Sequence, residues 1–244
     1  AGSVADEELQ RYSLVAIRLI SIDWLDDHLF NDEVVLGSLE TLSIEGKSKV
    51  VRDESTKLLC SLISTSSSWR TVRIFESLLQ VCNARGTECS GFMAKDTLSA
   101  VALSIDLSSR KTFIPGLIAI GFLDGVTEDC RFGLELLLAI SRKDSNKAIL
   151  CHDENLVEIL VSIISRETSV HRYEYMDAIH LLTSLLFFCD EEHADAFAKY
   201  KDLVPSLANF ANCTLNDTMK KDVVEMIILL SQSKLRSRQS MVMV

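Results

Sequence analysis

Residues 153–164 read DENLVEILVSII, a segment whose apolar residues begin at Leu156 and follow the spacing i, i+1, i+4 and i+7. On an α-helix this spacing places all four side chains on one stripe. The same spacing recurs four more times along the chain, at intervals of about 40 residues. The five copies are Val35, Leu36, Leu39 and Leu42; Ile74, Phe75, Leu78 and Val81; Phe113, Ile114, Leu117 and Ile120; Leu156, Val157, Leu160 and Ile163; and Leu203, Val204, Leu207 and Phe210.

A repeat of this length is typical of a helical solenoid, because no single unit can bury its apolar face alone and successive units must stack. Each stripe is followed by a polar link and a second apolar helix, and shorter helical pieces precede the fourth and fifth stripes. The second helices are predicted at roughly residues 50–64, 94–106, 128–141, 172–188 and 217–231, and the short ones at 146–151 and 191–200. The pattern therefore predicts an all-α chain of about five three-helix repeats.

Residues at the predicted boundaries support these helices. Asp153 and Asp202 each precede a stripe, where a carboxylate can accept hydrogen bonds from the free N–H groups of a helix start. Pro205 falls near the first turn of its helix, where a missing N–H costs nothing. We expect a single domain over residues 1–244. Within it, residues 1–4 resemble a cloning scar, 5–22 a capping helix, 23–231 the repeats and 232–244 a disordered tail.

The composition favours a folded chain that does not cross a membrane, since 48% of its 244 residues are hydrophobic, 25% are charged and no run of 18 apolar residues occurs. The formal net charge is −10, which disfavours binding to the phosphate backbone of a nucleic acid. A basic peptide is the electrostatically easier partner. The seven cysteines follow no CxxC spacing, and we expect reduced thiols in a cytoplasmic or nucleocytoplasmic protein.

Two of the helix openings resemble the armadillo repeat. They read Asp202-Leu203-Val204-Pro205-Ser206-Leu207 and Thr112-Phe113-Ile114-Pro115-Gly116-Leu117, each with an apolar pair, a proline and a leucine. Residues 136–164 are similar to nearly a whole repeat unit, and the resemblance extends over residues 23–231. It implies a right-handed αα superhelix of armadillo-like three-helix repeats. The two-helix HEAT repeat is the alternative architecture.

Armadillo-like proteins usually bind extended peptides along a concave groove lined by their third helices, so the resemblance implies a partner site there. The candidate residues on these helices are Arg52, Lys57, Asp129, Arg131, Tyr173, Tyr175, Asp177, His180, Asp222 and Glu225. Residues 171–175 hold the densest cluster of the side-chain types that dominate interfaces; the alternative is that the tyrosines pack between repeats. No asparagine lies well inside a predicted third helix, and Trp24 and Trp69 lie outside them, so the array of the import-receptor branch is missing.

No motif of catalysis or cofactor binding accompanies the repeats, since GxSxG, HExxH, paired CxxC, EF-hand and phosphate-binding glycine loops do not occur. Acidic clusters at residues 151–154 and 190–195 fall at predicted helix starts, where such residues act as caps. We therefore expect no enzyme activity, no cofactor and no metal. The sequence predicts a scaffold that binds a protein or peptide on its concave face. The alternative is a regulatory or chaperone module of a larger cytoskeleton-associated protein, as in formin regulatory regions and myosin co-chaperones.

Overall fold

A computed structural model of the chain describes residues 8, 10–15, 33–65, 68–85, 88–107, 128–165, 172–188, 197, 199–213 and 217–242. Within these ranges, only the backbone is described at 64–65, 68–70, 128–131, 172–174 and 233–242. The described residues form helices and turns, without strands. The chain divides into two compact units, residues 1–120 and 121–244.

Unit 1 contains two helical hairpins. They are α1 (Glu33–Glu45) with α2 (Lys49–Thr65), and α3 (Ser68–Arg85) with α4 (Cys89–Val101), which continues as a 3-10 turn over Ala102–Ser104. The first and second apolar stripes lie on α1 and α3, where Leu36, Leu39 and all four residues of the second stripe are buried, while Val35 and Leu42 are half-buried. Helix residues 10–15, with Leu14 buried, fall in the predicted N-terminal capping helix.

Unit 2 contains six described helices. They are α5 (Glu128–Ile140), α6 (Asp144–Cys151), α7 (Glu154–Ser165), α8 (Arg172–Phe188), α9 (Leu203–Cys213) and α10 (Asp217–Val242). The fourth and fifth stripes lie on α7 and α9; the fourth is fully buried, whereas Val204 and Phe210 of the fifth are half-buried. The third stripe and most of the predicted short helix at 191–200 lie outside the described residues, which include only 197, 199 and 200 of that helix.

Equivalent helices stack on one another inside each unit. We call α1, α3, α7 and α9 the stripe helices, and α2, α4, α5, α8 and α10 the return helices. In unit 1, α1 packs on α3 and α2 packs on α4; in unit 2, α7 packs on α9 and α8 packs on both α5 and α10. The four hairpins whose two helices are both described, α1–α2, α3–α4, α7–α8 and α9–α10, also pack helix on helix. The described helices of each unit therefore form two packed layers.

The predicted boundaries match these helices closely in most places. The Asp153 carboxylate accepts a hydrogen bond from the Leu156 N–H at 2.9 Å and thereby caps α7, and Pro205 lies in the first turn of α9. The turn between α1 and α2 requires a glycine at 46, because a Cβ there would collide with the Leu42 carbonyl oxygen. These local features explain why α7 and α9 begin, and why α1 ends, at the residues observed.

Three details differ from the predictions. Residues 68–85 form the single helix α3, which contains no proline or glycine to interrupt it, whereas a three-helix repeat would have a short separate helix before the second stripe. The predicted tail continues α10 as helix to Val242, since residues 231–242 are also free of proline and glycine. Finally, Cys60, Cys82, Cys89 and Cys213 are free thiols but Cys151 is disulfide-bonded, so the prediction of seven reduced cysteines is wrong at Cys151.

Candidate partner-binding surface

Arg52, a predicted partner contact on α2, is held inside unit 1. Its guanidinium bonds to the Glu88 carboxylate at 3.0 Å and donates to the Gly46 carbonyl at 2.8 Å, and only 15% of its side chain is exposed. Arg85 bonds to the same carboxylate at 3.0 Å and also donates to the Ile44 carbonyl. Both arginines thus cap the carbonyl end of α1 and meet at Glu88.

The position of Glu88 changes its acidity. Partial burial opposes ionisation of the carboxyl group, but the hydrogen bonds and charges of Arg52 and Arg85 outweigh that effect and lower the pKa of Glu88. Arg52, Arg85 and Glu88, which we call the Glu88 joint, connect the turn after α1 to the turn before α4. Arg52 therefore has a structural role in this part of the surface.

The exposed face of the return helices in unit 1 carries both apolar and charged side chains. On α4, Phe92 is 58% exposed and Leu103, in the 3-10 turn, is 50% exposed, with exposed Asp96 and Ser99 between them. On α2, Val50, Lys57 and Ser61 are exposed at helical spacing. The predicted contact Lys57 forms an ion pair with Glu54 at 2.7 Å, so its charge is already compensated.

Helices α2 and α4 pack on each other beneath this face. The Cys60 thiol of α2 lies at their contact, 3.8 Å from the Met93 carbonyl oxygen of α4, and the Thr97 side chain also bonds to the thiol. Burial raises the pKa of Cys60, and the nearby Asp96 carboxylate raises it further. Asp53 lies two turns from Cys60 on the same helix flank, and its Oδ1 atom is buried with no hydrogen-bond partner.

Tyr175, the predicted contact at the start of α8, packs between α8 and α9. Its ring centroid lies 5.2 Å from that of Phe210, and its hydroxyl donates to the Ser206 carbonyl at 3.4 Å. Burial of the phenol raises the pKa of Tyr175 to about 12. The Tyr175 side chain is thus engaged between α8 and α9 within unit 2.

The return helices of unit 2 also present a mixed face. His180 and Phe187 are exposed on α8, and Val224, Glu225, Ile228 and Leu229 are exposed on α10. Thr183 of α8 contacts the Met226 sulfur of α10 at 3.4 Å, which joins the two helices below this face. Asp177 and Asp222 are half-buried.

Three of the ten predicted positions, Asp129, Arg131 and Tyr173, have side chains outside the described part of the structure. Among the described residues, no group of three or more potential metal ligands occurs, and no helix combines the length and apolar character needed to cross a membrane. The cluster at 151–154 contains Asp153, the cap of α7. The following residue, Glu154, forms an ion pair with Lys199 at 3.1 Å.

Several surface residues were missed by sequence reasoning. Phe92, Leu103, Val224 and Ile228 do not belong to the stripes, and their exposure on the return helices is the feature that singles them out. Glu88 was missed because it lies in a short turn, where an acidic residue is unremarkable until its two arginine partners are known. No protein-family model matches the chain, and no curated protein matches it significantly.

Proposed function

We propose that this chain is a non-enzymatic, armadillo-like scaffold that binds a protein partner through the exposed face of its return helices. In unit 1 this binding face is formed by α2 and α4, and in unit 2 by α8 and α10. The layered packing of equivalent helices, found separately in each unit, supports the solenoid class.

One observation carries the proposal: large apolar side chains stand exposed on return helices that otherwise bury theirs. Phe92 and Leu103 on unit 1, and Val224 and Ile228 on unit 2, lie beside charged residues at helical spacing. Aromatic and aliphatic anchors within a polar surround are the arrangement that protein interfaces use. The fixed helix layers beneath them would present these anchors without a cost of ordering.

The test compares one substitution on the proposed face with one on the opposite layer. Phe92→Asp removes an exposed anchor of α4, and Val34→Asp introduces the same acidic residue at a valine of α1 that is 71% exposed. Both variants should fold, because neither side chain is in the core. Affinity capture from cell extract, quantified by mass spectrometry, should give a set of proteins retained by the wild type and Val34→Asp and lost by Phe92→Asp. An identical set on all three proteins would contradict the proposed face.

A further inference from the structure

The disulfide at Cys151, the last residue of the short helix α6, can be assigned from the state of the other cysteines. Those whose side chains the structure describes are free thiols, namely Cys60, Cys82, Cys89 and Cys213. The sequence contains two more, Cys130 and Cys189, whose side chains lie outside the described residues. The sulfur bonded to Cys151 therefore belongs to one of these two.

The surroundings of the Cys151 sulfur favour Cys189. Its Sγ atom lies 3.5 Å from the Leu185 carbonyl oxygen of α8. Cys189 follows Leu185 by four positions and comes directly after the last residue of α8 in the sequence. A disulfide requires two Cα atoms within about 7 Å of each other, and four positions are about one helical turn. Cys130 belongs to α5, whereas the helix on which α6 mainly packs is α8.

A second contact joins α6 to the end of α8. The Lys147 Nζ atom, one turn before Cys151, lies 5.3 Å from the ring centroid of Phe188. Helix α6 has only eight residues, which is too short for a helix to be stable without its neighbours. A covalent bond from Cys151 would therefore be the strongest link that holds α6 on α8.

The same site can also hold a reduced thiol. Cys151 is only 6% exposed, and an S–H group at its position can donate to the Leu185 carbonyl oxygen. A free thiol in comparable surroundings already exists in unit 1, where Cys82 is 4% exposed and its Sγ atom lies 3.8 Å from the Gly91 carbonyl oxygen. Reduction of Cys151 therefore does not require α6 to unfold.

We propose that Cys151 and Cys189 form a reversible disulfide that fixes α6 to the end of α8 when oxidised and frees it when reduced. Glutathione disulfide is the oxidant: it exchanges with the two thiols through a mixed disulfide. The protein S–S bond forms, the glutathione S–S bond breaks, and the two thiol protons pass to two molecules of glutathione. This redox control goes beyond the proposed scaffold function and does not depend on it.

Peptide mapping tests the bond itself. The full chain is equilibrated with glutathione disulfide or with reduced glutathione, quenched with acid, alkylated with N-ethylmaleimide under denaturing conditions and digested with trypsin. Mass spectrometry should find the Cys151 and Cys189 peptides joined after oxidation and both alkylated after reduction. A bond from Cys151 to Cys130 would overturn the assignment, and complete alkylation of Cys151 in both samples would overturn the disulfide.

Hydrogen exchange tests the structural effect. In the wild type, amides of α6 and of the last turn of α8 should exchange about tenfold more slowly in the oxidised chain than in the reduced chain. Cys151→Ser and Cys189→Ser should each exchange like the reduced wild type in both buffers. The second variant leaves the buried residue of α6 unchanged, so it retains the test if Cys151→Ser fails to fold.

The matched control is Cys82→Ser, which changes another buried cysteine whose sulfur lies beside a carbonyl oxygen. This variant should keep the difference between oxidised and reduced chains in α6 and α8. Equal exchange of the wild type in the two buffers would overturn the redox control even where the bond forms. Neither measurement uses partner capture, so failure here leaves the scaffold proposal to its own test.

Discussion

Two arginine side chains of α3 tie the second hairpin of unit 1 to the first. Arg73 bonds to Glu33 and Glu40, which precede it by 40 and 33 residues, and Arg85 bonds to the Ile44 carbonyl 41 residues earlier. Ser77 completes the first cluster by donating to Glu40 at 2.7 Å. Two of these separations, 40 and 41 residues, equal the spacing of the apolar stripes, because the packing of α3 on α1 brings each residue beside one about 40 positions earlier.

Substitution of a stripe residue tests the assignment of the core. Leu160 on α7 is fully buried, so Leu160→Asp should lower the free energy of unfolding by more than about 3 kcal/mol through an unpaired buried charge. Urea denaturation measures this change. The control Val224→Asp, at an exposed position of α10, should stay within about 0.5 kcal/mol of the wild type. Wild-type stability in Leu160→Asp would show that the stripe is assigned wrongly.

The ends of the helices are set by residues close to them in the sequence. The packing between helices depends instead on residues that are distant in the sequence. Helix α7 begins at the Asp153 cap, and α3 runs unbroken because it lacks proline and glycine. By contrast, the turn before α4 is fixed by Glu88, which holds Arg52 of α2 and Arg85 of α3. Both contacts are ion pairs, so they require the Glu88 carboxyl group to be ionised.

The Glu88 joint predicts a pH-dependent stability. The pKa of Glu88 is lowered in the folded chain from its ordinary value of 4.5, so its stabilising effect is present above that value and is lost as pH falls through the lowered pKa. Glu88→Gln should therefore have a lower Tm than the wild type at pH 7, and the difference should shrink below pH 4.5. Thermal melts by circular dichroism across this range measure it. A difference that is constant with pH would show that the carboxylate charge is not responsible.

At the scale of the whole molecule, the two compact units each contain their own stacked helices and core. In unit 2, α8 is the central element, since it packs on α5, α6, α7 and α10. Where each helix packs mainly on its neighbours, the free energy of unfolding is approximately a sum of nearest-neighbour contributions, and we expect a destabilising substitution to act mainly on adjacent helices.

Hydrogen exchange can test that locality. Leu207→Asp places a charge in the core of α9, which packs on α7 and α10. Mass spectrometry should show loss of amide protection over α7 to α10, while α1 to α4 exchange as in the wild type. Uniform loss of protection along the chain would mean that the two units unfold as one.

Much of the helix layout could be predicted from the sequence because its causes are local. The apolar spacing and the residues that cap or break a helix predicted the bounds of α8, 172–188, and predicted those of α5 and α6 to within two residues. The fused α3 and the long α10 were harder to predict, because the absence of a breaker is a weaker signal than its presence.

The candidate binding surface could be predicted only in part from the sequence. Sequence alone determined that charged and aromatic residues would lie on the return helices, since the helical period fixes which residue belongs to which face. Only the tertiary structure decided that Arg52 and Tyr175 are engaged inside the fold while Phe92 and Asp96 stand exposed. The physical reason is distance along the chain: Arg52 meets Glu88 36 residues away and Tyr175 meets Ser206 31 residues away, and stacking alone brings such residues together.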